Sequence, residues 1–182
     1  AADLDASLTV KRLGLPAIQM ADGPAGVRIN KGDVHAGTAT MLPAPIALAA
    51  TWEPETARTY GTIVGAECRA TDHNVSLGPA VDIARVPVGG RTFESYGEDP
   101  VLTSRIGVAF VQGVQAQGVQ ACAKHYAINN QEDHRSSVNA VIDERTMHER
   151  FQLFYHSAYV DALEPAVGSD AGWFLLCRHS AV

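Results

Sequence analysis

The chain has 182 residues, 46% of them apolar and 19% charged, which is enough for one substantial core and too apolar for a disordered tail. Its formal charge of -6 and pI near 5.6 argue against a surface for nucleic acid or anionic membrane, because both need a concentrated basic face that displaces counterions. A neutral or cationic small molecule suits it better.

Cys68, Cys122 and Cys177 cannot all pair within one chain, and none stands at a metal-ligand spacing. They read as small buried apolar residues. No apolar run approaches the ~20 residues that span a bilayer. The opening AADLDASLTVKRLGLP lacks the basic segment and apolar stretch of a signal peptide. A cytoplasmic and a secreted location both fit, and oligomeric state is not written in the sequence.

In chain order, Ala17 to Met20 form a short apolar run that delivers Asp22 into the tight turn Asp22-Gly23-Pro24. From Glu53, the stretch EPETARTYGTIVGAECRATD places Ala57, Tyr60, Val64 and Cys68 at helical spacing, with Pro54 in the first turn. HNVSLGPAVDIAR then gives a strand alternating at Val75 and Leu77 and stopped by Gly78-Pro79. DPVLTSRIGVAFVQGVQAQG carries Leu102, Ile106, Ala109, Phe110, Gly113 and Val114 on one helical stripe, and Gly118 suits a left-handed close. VQACAKHYAI is a compact β run. DERTMHERFQLFYHSAYVDAL predicts a third helix with Met147, Phe151, Phe154 and Ala158 on one face and Asp143 and Glu144 at its start. A last strand is expected near Ala166 to Ser169.

Short apolar runs alternating with longer amphipathic ones predict βαβ units and a parallel sheet. The expected fold is α/β, a partial (β/α)₈ TIM-type barrel comprising roughly the first three to four β/α units, in which functional groups stand at the carboxyl ends of strands. Asp22, Arg91 and the pair Lys124-His125 obey that placement. A doubly wound open sheet is the alternative, but there is no GxGxxG turn and no GxxxxGK[ST] loop. No nucleotide or other cofactor is expected.

KHYAINNQEDHR, residues 124 to 135, concentrates ionic and amide side chains. Read as a metal site, it would use His125, Glu132, Asp133 and His134. Its histidines stand nine apart, however, not at i and i+4 on a helix, so no metal is assigned. A clamp for hydroxyl groups fits better, since rigid hydroxyl-bearing rings are held by carboxylate acceptors, guanidinium forks and an ammonium. Simpler readings exist for each residue. Asp22 alone could be a turn former, and Arg91 an ion-pair partner of Glu94, Glu98 or Asp99. Glu94 and Asp99 read as structural, capping the following helix and orienting the arginine. Asn129, Asn130 and Gln131 suit loop backbone groups.

The blocks LGLPAIQMADGPAGVRI, LPAPIALAATWEPETARTYGTIVGAECRA, LGPAVDIARVPVGGRTFESYGEDP, KHYAINNQE and DERTMHERF, in that order, resemble the start of glycoside hydrolase family 3, the β-glucosidase-type enzymes. The resemblance runs from about Leu13 to about Ala166. It implies that residues 1–168 are the N-terminal part of a (β/α)₈ domain and leaves 169–182 as a divergent, unassigned tail. It further implies a pocket for a terminal non-reducing sugar, with Asp22 accepting from sugar hydroxyls and Arg28, Arg91, Lys124, His125 and Arg135 as further contacts. The partner implied is a β-glucoside or oligosaccharide. Glucosides, xylosides and arabinosides all remain open, as does the leaving group.

The retaining chemistry of that family needs two carboxylates about 5–5.5 Å apart. By resemblance the nucleophile lies in an SDW-like block well downstream of Lys124 and the acid/base in a later domain. Asp170 arrives only 46 positions after Lys124, too early, and is not assigned. The chain is therefore expected to be an incomplete β-glucosidase, inactive alone. A non-catalytic carbohydrate-binding module and a metal-dependent barrel hydrolase are the alternatives. KHYAINNQE in place of a KHFPGHG-type segment disfavours the N-acetylglucosaminidase branch.

Overall fold

The computed structural model describes residues 13–14, 17–29, 39–135 and 137–154, together with the backbone of 174–178. Four strands, β1 (Met20–Asp22), β2 (Val75–Leu77), β3 (Gln120–Tyr126) and β4 (Phe174–Arg178), form one sheet in the order β1-β2-β3-β4, with every neighbouring pair parallel. Sequential order without reversal is the winding of a barrel; a doubly wound sheet reverses at a switch point. The register sets Met20 beside Val75 and Val75 beside Gln120, and an isolated bridge joins Ala80 to Lys124. These pairings bring the ends of β1, β2 and β3 to one level.

The helices follow from their sequences. A short helix, α1 (Pro45–Ala49), precedes α2 (Pro54–Ala70), and α3 (Pro100–Gln115) links β2 to β3. All three begin with proline, whose missing N–H costs nothing in a first turn. Asp99 caps α3 by accepting from the Val101 and Leu102 N–H groups at 2.7 and 3.0 Å. The predicted stripes are the buried ones: Ala57, Tyr60, Val64 and Cys68 on α2, and Ile106, Ala109, Phe110 and Val114 on α3. Gly118 has φ of +72°, the left-handed close expected of it.

Helices α2 and α3 pack at very close range through glycine. A Cβ at Gly61 would collide with the Phe110 carbonyl, and one at Gly113 with the Arg58 carbonyl. Tyr60 is buried, and its hydroxyl lies 2.8 Å from the Pro43 carbonyl and 3.2 Å from that of Pro24. That contact fastens the segment after β1 to α2.

Two expectations need correction. Helix α4 starts as α-helix over Glu144–Thr146, passes through a π-helical turn over Met147–Phe151 and is α-helical again at 152–154; Phe151 and Phe154 are buried, and Met147 is only partly so. Cys68 and Cys122 are buried as expected, yet only Cys68 is a free thiol, since Cys122 is disulfide-bonded. Helix α1 was not anticipated, being too short to show a period. The expected strand at 166–169, Ala158 and Asp170 lie outside the described residues. Strand β4 falls within the stretch 169–182. Among the described residues no helix is long and apolar enough to cross a membrane.

Candidate functional site

The site stands where β1, β2 and β3 end. Asp22, the last residue of β1, accepts from Lys124 Nζ at 2.6 Å across a sequence separation of 102. Its Oδ1 also accepts from the Gly23 N–H at 2.9 Å. Arg28 Nη1 lies 3.9 Å from Oδ2, with the arginine side chain 69% exposed. Lys124 is buried, so its ammonium depends on that carboxylate. Burial would raise the Asp22 carboxyl, but the Lys124 charge and hydrogen bond, the Gly23 N–H and the Arg91 charge hold it below the ordinary carboxylate value.

His125 joins a second group. Its Nδ1 is 2.6 Å from Asp82 Oδ2, and its Nε2 is 3.4 Å from Arg91 Nη1. Asp82 also accepts from the His125 N–H at 3.2 Å and, through Oδ1, from the Asn129 N–H at 2.7 Å. Arg91 donates to Glu94 at 2.7 Å and lies 3.5 Å from Glu132. Burial would lower the basicity of Arg91, but Glu94, Glu132 and Asp22 more than offset it and hold the guanidinium firmly charged. Glu132 further accepts from Asn129 Nδ2 at 2.9 Å and from Arg135 at 3.0 Å. Burial would raise its carboxyl too, and those donors with the Arg91 charge bring it below the ordinary value.

The structure thus gathers Asp22, Arg91, Lys124 and His125, with Arg28 at the exposed rim and Arg135 beyond Glu132. Glu94 and Asp99 occupy the structural posts expected of them. Asn130 and Gln131 satisfy the Ile83 and Asp133 carbonyls, whereas the Asn129 side chain binds Glu132 rather than backbone. The metal-ligand types of the 124–135 stretch are turned to other work: His125 to Asp82 and Arg91, Glu132 to two arginines. Asp82 is the residue that sequence reasoning missed, because its partners lie 43 and 47 positions away and no local spacing announces them.

A cleft of about 1330 Å³, lined among others by Tyr126, Glu132, Arg135, Val141 and Met147, borders the cluster through Asn129, Glu132 and Arg135, and Asp22, Arg91, Lys124 and His125 do not line it. A smaller cavity of about 20 Å³ lies behind Arg91, bounded by Asp82, Glu94, His125 and Asn130. Asn130 Oδ1 is buried without a hydrogen-bond partner. Charged and amide groups around a cleft can hold a ring of hydroxyls in a fixed orientation, since each group's own position is set by a partner.

Parallel strands in sequential order, with the candidate site residues at their carboxyl ends, are the arrangement of a (β/α)₈-type barrel domain. The chain belongs to glycosyl hydrolase family 3: the model of that family's N terminal domain matches residues 2–169. It is 38% identical over 177 residues to thermostable β-glucosidase B of Acetivibrio thermocellus, covering 94% of this chain and 22% of that protein. It is 42% identical over 178 residues to a β-glucosidase of Bacteroides ovatus, covering 94% and 23%. Among solved structures, β-glucosidase 3B from Thermotoga neapolitana in complex with α-D-glucose matches with a TM-score of 0.79 and 43% identity, covering 85% of this chain and 22% of that one. β-Glucosidase from Kluyveromyces marxianus in complex with glucose matches with a TM-score of 0.82 and 30% identity, covering 99% and 21%. The chain spans about a fifth of the length of these relatives.

Proposed function

We propose that this chain supplies the pocket for a terminal non-reducing β-D-glucosyl residue in a retaining β-glucosidase. The observation that carries the reading is the convergence of Asp22, Arg91, Lys124 and His125 from the ends of three strands and their following loops into one cluster. Names of the relatives and the glucose held by two similar structures support it. In this reading Asp22 accepts from sugar hydroxyls, Lys124 and Arg91 donate to them, His125 lines the same wall, and Arg28 and Arg135 bound the pocket further out. Residues 1–168 form the barrel part, and 169–182 are left without a role.

Hydrolysis with retention proceeds by attack of a carboxylate on the anomeric carbon, departure of the protonated leaving group, and water displacing the enzyme carboxylate. The site carboxylates are committed elsewhere: Asp22 to Lys124, Asp82 to His125, and Glu94 and Glu132 to Arg91. Nucleophile and acid/base are therefore assigned outside the described residues, and this cluster to ring recognition.

The test uses the protein translated from the complete reading frame. Asp22→Ala is expected to lower kcat/KM on an aryl β-D-glucoside by about 100-fold or more, given about 1.5–3 kcal/mol for each charged hydrogen bond. An unchanged kcat/KM would remove Asp22 from the pocket. Glucose binding without turnover by the unaltered protein would favour a non-catalytic sugar-binding module.

A further inference from the structure

The contacts of His125 with Arg91 and Asp82 together favour one arrangement of its proton. A guanidinium has donors and no acceptor, so at the 3.4 Å contact between Arg91 Nη1 and His125 Nε2 the ring nitrogen must accept. The proton then sits on Nδ1, 2.6 Å from Asp82 Oδ2. Asp82 is fixed as an acceptor, because both of its oxygens also face backbone N–H groups, those of His125 and Asn129. Its side chain is only 12% exposed and that of His125 11%. A doubly protonated ring would set an N–H against the Arg91 N–H and a second positive charge beside the guanidinium.

We propose that Asp82 is a positioning residue of the sugar pocket: it holds His125 as the Nδ1–H tautomer, so that Nε2 accepts from Arg91 and fixes the guanidinium against the sugar. This rests on the glucosidase reading for its consequence, though not for its geometry. Glu94 and Glu132 hold Arg91 from the sides of the loop, and His125 is its contact from β3. Asp82 touches no sugar; it acts through the imidazole and then the arginine.

Asp82→Asn preserves shape but brings an amide N–H₂ against one set of donors. If that group faces Nδ1, the ring must carry its proton on Nε2, which then opposes Arg91. The expected result, in the protein from the complete reading frame, is glucose affinity weakened about 10- to 100-fold. His125→Ala should weaken it comparably, and the double variant should be no worse than His125→Ala within about 2-fold, because residues acting as one unit are not additive. Losses that multiply, or an Asp82→Asn protein with unaltered affinity, would overturn the proposal.

Selective ¹⁵N-histidine labelling reads the tautomer without any sugar. In the unaltered protein the His125 resonances should report the proton on Nδ1, and an Nε2–H form would overturn the proposal even if Asp82→Asn failed to fold. Loss of the glucosidase reading, shown by an unaltered protein that neither binds glucose nor hydrolyses an aryl glucoside, is thereby distinguishable from a wrong tautomer.

Discussion

Asp22 keeps one oxygen on Lys124 at 2.6 Å while the other lies 3.9 Å from an Arg28 side chain that is mostly exposed. One oxygen thus anchors a buried cation and the other faces the opening. The carboxyl's lowered pKa has a consequence for stability. Its unfolded value is near 3.9 and its folded value is lower, so the stabilisation is fully present above the unfolded value and lost as pH falls through the folded one. Thermal midpoints measured from pH 7 down to pH 2 should show a shallower acid decline for Asp22→Asn than for the unaltered protein. Coincident slopes would mean that the Lys124 pair contributes no folding free energy. Asp22, Arg91, Lys124 and His125 were legible as candidates because each stands where a predicted strand or its following loop ends. Asp82 was not, since its partners are made by the sheet register and the return of the 125–129 segment. Nor does local sequence show that Glu132 serves two arginines.

Helices α2 and α3 touch through backbone at Gly61 and Gly113, and the site inherits its spacing from that contact. Strand β2, which follows α2, leads into the Asp82 segment, and β3, which follows α3, carries Lys124, so separating the helices would separate the groups. Gly61→Ala puts a methyl onto the Phe110 carbonyl, where backbone and not a flexible side chain must give way. Overpacking of this kind costs about 1–3 kcal/mol, and a clear fall in thermal midpoint is expected; an unchanged midpoint would show that the helices slide freely. Asp99→Ala removes both capping bonds of α3 and should cost about 1 kcal/mol, measured as the urea midpoint. These helices were readable because their apolar residues recur every three or four positions over 16 or 17 residues. Helix α1, with five residues, offers too little length for a period. The π-helical turn at Met147–Phe151 follows a stripe that reads as ordinary α-helix, and it brings Phe154 against Gly107 of α3.

At the scale of the whole chain, the sheet has β1 at one side and β4 at the other, with no strand described beyond either. Parallel sheets are stable when both faces and both edges are covered. Purified as 182 residues alone, the chain is expected to give no turnover of an aryl β-glucoside and to elute from size exclusion as associated species; a monodisperse, active monomer would contradict the assignment of the carboxylates elsewhere and the expectation of association through sheet edges. The sequential strand order could be foreseen from the alternation of apolar runs and amphipathic helices, while β4 could not, because it lies in residues that resemble no block of the family.

Tyr60 offers a way to disturb the pocket from outside it. Its hydroxyl draws two proline carbonyls toward one helix, and one of them, Pro24, comes two residues after Asp22. Removing that single oxygen by Tyr60→Phe leaves the ring in place but unmoors the turn, so grip on the ligand should slacken well before the fold gives way. Such a rivet makes the outer helix a tuning point for specificity, reachable by mutation without altering any group of the proposed pocket.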